Sequence, residues 1–75
     1  MKNFEFNGIE ITPETEIQCA VAENPKRKNS NARARFDDYM GATTVREYLV
    51  LSGGVHGIAD LKYDLGKQFF EIVSE

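Results

Sequence analysis

An Asn-Gly pair set between two short alternating runs fixes how the chain begins. In Phe4-Glu5-Phe6-Asn7-Gly8-Ile9-Glu10-Ile11, apolar and acidic residues alternate with period two on both sides of the pair. Asn and Gly accept the positive φ angles of a type I′ turn, whose twist suits two antiparallel strands. The spacing predicts a hairpin in which Phe6 faces Ile9 and Phe4 faces Ile11, all four on one buried side. Glu5 and Glu10 then oppose each other on the other side, a small penalty that solvent tolerates or a basic partner relieves.

The next segments read as helices. Thr12 suits an N-cap, Pro13 the first helical position, and Glu14 and Glu16 the positive end of the dipole. Ile17, Ala20 and Val21 continue at helical spacing, and the helix is expected to stop by Asn24, ahead of Pro25. A polar loop over 24–31 leads into a helix over 31–40 with Ala32, Phe36, Tyr39 and Met40 inward and Gly41 in the left-handed terminal position. Thr44-Val45-Arg46-Glu47 matches a capping box. Its helix buries Val45, Tyr48, Leu49 and Ser52 and ends at Gly53-Gly54. A helix over 57–65 buries Ile58, Leu61 and Leu65 and is capped by Gly66. Gln68 to Val73 reads as a strand able to join the hairpin as its third member. The expected fold is α+β: an N-terminal β-hairpin plus a C-terminal strand packed on three or four short helices, in one domain spanning 1–75.

At 75 residues such a domain has little apolar surface to spare, because burial efficiency falls with size. Cys19 is the single cysteine, so no internal disulfide forms, and a buried free thiol in a reducing cytoplasm is expected. No apolar run approaches the ~20 residues of a membrane span, and the first residues lack a signal-length apolar core. A membrane partner is therefore not expected.

The net charge of −3 is unevenly spread. Segment 25–35 carries Lys26, Arg27, Lys28, Arg33 and Arg35 and no acid, whereas acids outnumber bases on either side. Cations on phosphates release condensed counterions, so these five residues form a candidate nucleic-acid contact, with Asn24, Asn29, Ser30 and Asn31 as neutral donors. The competing readings are a contact with an acidic protein surface and a solvated loop, the latter with Arg33 paired to Asp37 one turn later. Residues 44–65 resemble a helix–turn–helix in spacing, but the second helix offers Asp60 and Asp64 against Lys62, poor chemistry for reading bases. Base stacking on Tyr39 or Tyr63 has no support from the pattern.

Catalytic and metal chemistry find no pattern. Ser52-Gly53-Gly54-Val55-His56-Gly57 lacks the spacing of a phosphate-binding loop. His56 is the single histidine and Cys19 the single cysteine, too few for a dedicated zinc site. His56 forms no recognisable nucleophile–base pair with Ser52, Ser74 or Cys19. No catalytic residue, metal or cofactor is expected.

Asn24-Pro25-Lys26-Arg27, the stretch to Arg35-Phe36 and Tyr39, Thr44-Val45 with Glu47-Tyr48-Leu49, Gly53-Gly54, and Ala59-Asp60-Leu61 with Tyr63-Asp64-Leu65 resemble small proteins of bacteriophage and prophage genomes. The resemblance covers about two thirds of the chain, residues 24–70, and departs from the usual loop at Lys28-Asn29. It carries no agreed activity and implies a phage origin, with action in the host cytoplasm. Two functions are expected on these grounds. One is a non-catalytic regulator of gene expression that binds DNA through Lys26, Arg27, Lys28, Arg33 and Arg35. The alternative is an inhibitor or modulator of a host protein such as RNA polymerase, acting through Glu5, Glu10, Glu14 and Glu16.

Overall fold

The computed structural model describes residues 2–53 and 56–73. Strands β1 (Phe4–Phe6) and β2 (Ile9–Ile11) form the expected hairpin, in the register Phe4↔Ile11, Glu5↔Glu10, Phe6↔Ile9. Asn7 at φ 50° and Gly8 at φ 82° supply the left-handed turn. The shared buried side is incomplete, however. Ile11 is fully buried and Phe4 and Phe6 are half-buried, but Ile9, next to the turn, is 47% exposed. A side chain at the tip of a two-stranded ribbon has little protein above it to cover it.

The helix expected after Thr12 does not form. Thr12 to Thr15 make a turn closed by the Thr15 N–H donating to the Thr12 carbonyl at 3.1 Å. The Thr12 hydroxyl accepts from the Glu14 N–H at 3.2 Å, and the Thr12 N–H donates to the Thr15 hydroxyl at 2.9 Å. Pro at the second position of a turn is as favourable as Pro at the first position of a helix. Beyond the turn the chain enters strand β3 (Ile17–Cys19). It runs antiparallel to β4 (Phe70–Ile72), with Ile17↔Ile72, Gln18↔Glu71 and Cys19↔Phe70 as partners. The C-terminal strand thus pairs with β3 and not with the hairpin, giving two separate two-stranded sheets. Ile17, Cys19 and Val21 also alternate with period two, and pairing to β4 decides in favour of that period.

Three helices complete the fold: α1 (Asn31–Tyr39), α2 (Val45–Leu51) and α3 (Gly57–Gly66). Ser30 caps α1 through its hydroxyl, which accepts from the Arg33 N–H at 3.1 Å. Thr44 caps α2 by accepting from the Glu47 N–H at 3.2 Å, while the Glu47 carboxylate accepts from the Thr43 N–H at 2.8 Å, one residue ahead of the expected box. The turn also serves α2, since the carbonyls of Pro13 and Thr15 accept from the amides of Arg46 and Val45. Gly41 is not left-handed, and the α2 terminus uses Gly53 at φ 83°; Gly54 lies outside the described residues. Gly66 is the last residue of α3 itself, and Lys67 is its C-cap. At Gly57 an added Cβ would lie 2.6 Å from the Leu49 side chain, so glycine permits the close approach of α3 to α2.

The core gathers Ile11, Ile17, Phe36, Tyr39, Ala42, Val45, Tyr48, Leu61, Leu65 and Phe70. Tyr39 and Tyr48 pack with ring centroids 4.0 Å apart, and Phe70 meets Tyr48 edge-on at 5.2 Å. Two tyrosines at the centre of so small a core bring two hydroxyls that need partners. Both hydroxyls converge on one carboxylate. Cys19 is half-buried, with its sulfur 3.3 Å from the Val21 carbonyl oxygen. No helix among the described residues is long and apolar enough to cross a membrane.

Candidate nucleic-acid interface

The loop from Asn24 to Ser30 is fastened at both ends. The Asn24 carboxamide oxygen accepts from the Lys26 N–H at 2.9 Å. Its Nδ2 donates to the Arg33 carbonyl and to the Asp37 carboxylate, each at 2.8 Å. Ser30 donates its hydroxyl proton to the Arg27 carbonyl at 2.6 Å while capping α1. Arg33 does not pair with Asp37. Its guanidinium donates to the Lys26 carbonyl at 3.1 Å, bracing the loop from beneath. Asn29 takes φ 64°, a conformation asparagine tolerates better than most residues.

The five cations of this segment separate into two groups. Lys26 turns inward: its side chain is 8% exposed and its ammonium donates to Asp64 Oδ1 at 2.5 Å. The same ammonium lies 4.4 Å from the centroid of the Tyr63 ring, 5.3 Å from Phe69 and 5.6 Å from Phe36. Arg35 grips Asp60 with two parallel bonds, Nε to Oδ2 at 2.7 Å and Nη2 to Oδ1 at 3.1 Å. That bidentate contact raises the Arg35 pKa further above its ordinary value. With Arg33 bound to backbone, three of the five expected contacts hold the fold together. Arg27 and Lys28 are exposed and have no ion-pair partner among the described residues.

Asp64 is the residue whose role the sequence pattern understated. It is fully buried, and both oxygens are occupied: Oδ1 by Lys26, and Oδ2 by the hydroxyls of Tyr39 at 2.7 Å and Tyr48 at 2.5 Å. Burial, joined by the hydrogen bond to this carboxylate, pushes both phenols well above the ordinary tyrosine range. Asp64 lies three residues after Leu61 and one before Leu65, on the inward stripe of α3. An acid at that position was the signal that a buried cation would come to meet it. Asp60 and Asp64, unsuited to reading bases from α3, are the internal anchors of Arg35 and Lys26.

A groove of about 480 Å³ opens beside the loop, lined by residues including Arg27, Ser30, Ala32, Ala59 and Tyr63. Tyr63 is 53% exposed, and the Lys67 ammonium stands 5.7 Å from its ring centroid. Tyr39, the other tyrosine considered for stacking, is fully buried and closed to a ligand.

The acidic face lies on the hairpin and the turn. Glu5 and Glu10 are exposed partners across β1 and β2, as expected. Glu14 pairs with Arg46 at the surface, and Glu16, just ahead of β3, is exposed and forms an isolated bridge with Thr44. Glu14 and Glu16 stand on a turn and a strand edge, not on a first helix. Among the described residues no group of three or more metal-ligating side chains comes together. Compared with known proteins, the chain matches no family model, no curated relative and no solved structure.

Proposed function

We propose that this chain is a non-catalytic regulator, of the kind phages encode, that binds nucleic acid through Arg27 and Lys28 on the loop between β3 and α1. One observation carries the reading: these two cations stand clear of the ion pairs that consume their neighbours, on a loop already fastened by Asn24, Ser30 and Arg33. A fastened loop loses little conformational entropy when it meets a ligand. The contact is narrower than the five cations of the sequence suggest. Two phosphates on duplex DNA give a slope of log K against log salt of roughly −1.8, at about −0.9 per contact. Fluorescence anisotropy of a labelled DNA oligonucleotide across a salt series measures it. The double change Arg27→Ala, Lys28→Ala is expected to flatten the slope and leave the fold intact. A steep slope surviving in that variant would sink the reading.

A second reading is supported by the hairpin. Glu5 and Glu10 oppose each other on an exposed face, with Glu16 also exposed just ahead of β3. Such a face suits a basic surface on a host protein such as RNA polymerase, where complementarity acts mainly on the association rate. Surface-immobilised kinetics with the Glu5→Lys, Glu10→Lys variant separates the two readings, because loop changes leave this contact untouched.

A further inference from the structure

We propose that the ligand of the loop is a single strand, and that Tyr63 is the platform on which one of its bases stacks. This rests on the reading of Arg27 and Lys28 as phosphate contacts and names the form of nucleic acid they serve.

The body of the protein is acidic, yet the acid lining this groove is already neutralised: Asp60 is held by Arg35. Arg27 lines the groove, Lys28 comes next in the chain, and Lys67 reaches the Tyr63 ring from the end of α3. The groove is therefore locally cationic on an acidic molecule. Its wall is an aromatic ring left 53% exposed in a protein whose other two tyrosines are completely buried. A large exposed aromatic beside cations free of ion pairs among the described residues matches the two components of single-strand binding: a charged track for the backbone and a π-face for the base.

Rigidity favours the same ligand. The Lys26 ammonium, 4.4 Å from the ring centroid and tied to Asp64, fixes Tyr63 from the protein side. Ala32 and Ala59 line the same groove with short side chains, leaving room beside the ring. A duplex keeps its bases stacked inside the helix, where a ring at the wall of a groove has no access to a π-face. A single strand presents one base at little cost. Any base satisfies the ring, so recognition is by stacking and charge, with little sequence preference.

The test compares three labelled probes of equal length by fluorescence anisotropy: oligothymidylate, the corresponding duplex, and a strand with abasic sites that keeps the phosphates. The parent protein is expected to bind oligothymidylate most tightly. Removing the bases, or changing Tyr63→Leu, is expected to weaken binding roughly 5- to 150-fold, the range for one base–aromatic stack. The two losses should not add, since both delete the same contact. Tyr63→Phe keeps the platform and should restore parental affinity, which separates stacking from any effect of the leucine on folding. Equal binding of duplex and single strand, or an abasic strand bound as tightly as oligothymidylate, overturns the inference. In either case the loop reading still stands provided that Arg27→Ala, Lys28→Ala abolishes binding. No binding of any probe by the parent at low salt removes both.

Discussion

The loop after Asn24 and the hairpin before Thr12 carry opposite charges and are built on opposite plans. In the loop region, three of the five cations are drawn inward and matched one to one: Lys26 with Asp64, Arg35 with Asp60, Arg33 with backbone carbonyls. In the hairpin, acids point outward, and Glu5 and Glu10 face each other rather than a partner of opposite sign. A run of charge in a sequence therefore has no fixed meaning. What separates the two cases is the aromatic context. The basic segment runs into Phe36 and Tyr39 and lies against Tyr63 and Phe69, which can surround a cation, whereas the hairpin acids alternate with residues of the opposite face.

The sharpest way to break this contrast is to remove the centre of the inward network. Asp64→Ala leaves the Lys26 ammonium and two tyrosine hydroxyls without their common acceptor. Breaking a buried pair from one side costs about 3–5 kcal/mol, and a domain of this length holds only about 4–11 kcal/mol in total. The variant is expected to lose a large share of its stability, read as a much lower urea midpoint by circular dichroism. Lys26→Ala strands the carboxylate instead, but Tyr39 and Tyr48 still donate to it, so the loss should be somewhat smaller. Arg27→Ala and Lys28→Ala, at the two adjacent positions with the same charge, should stay within about 0.5 kcal/mol of the parent. Equal effects at positions 26, 27 and 28 would erase the distinction between internal and surface cations.

Much of this was legible in the sequence. The hairpin register, the three helices and the C-terminal strand are set by Asn-Gly turn chemistry, capping residues and periodicity. The segment 12–21 was not legible, because Thr12-Pro13-Glu14 satisfies a helix start and a β-turn equally well. The deciding contribution is the pairing of β3 with β4, which joins Gln18 to Glu71 across most of the chain. Strand preference depends on such non-local partners far more than helix preference does. The site was half legible for a related reason. Local composition located the cations but could not say which had a partner elsewhere in the chain, and for Lys26 that partner is a carboxylate 38 positions away.

Alkaline titration probes the inward network without a mutation. Tyr39 and Tyr48 hold their protons more tightly folded than unfolded, so their contribution is fully present below the unfolded pKa of about 10 and is lost as pH rises. Above about pH 10 the unfolded chain releases two protons that the folded chain keeps. Stability should then fall by up to roughly 2.7 kcal/mol per pH unit, at 1.36 kcal/mol for each proton. Urea midpoints measured between neutral and alkaline pH give the slope. Tyr48→Phe should reduce it by about half. An unchanged slope in that variant would mean that Tyr48 is not a source of the dependence.

The hairpin should give a small effect of opposite sign. Glu10→Lys turns a like-charge pair across β1 and β2 into an attractive one. Cross-strand pairs of this kind are worth roughly 0.2–1 kcal/mol, so the variant should be more stable than the parent. For a domain of this size that corresponds to a rise in melting temperature of about 1–8 °C. Both carboxylates are exposed, so added salt should shrink the gain by screening the repulsion in the parent and the attraction in the variant. Melting curves at low and high ionic strength measure both. A stabilised variant means that Glu5 and Glu10 face each other at the expense of stability, which is what a surface kept for a basic partner requires. A variant no more stable than the parent at low salt would mean that solvent already absorbs the repulsion, and the acidic face would lose its claim as a contact surface.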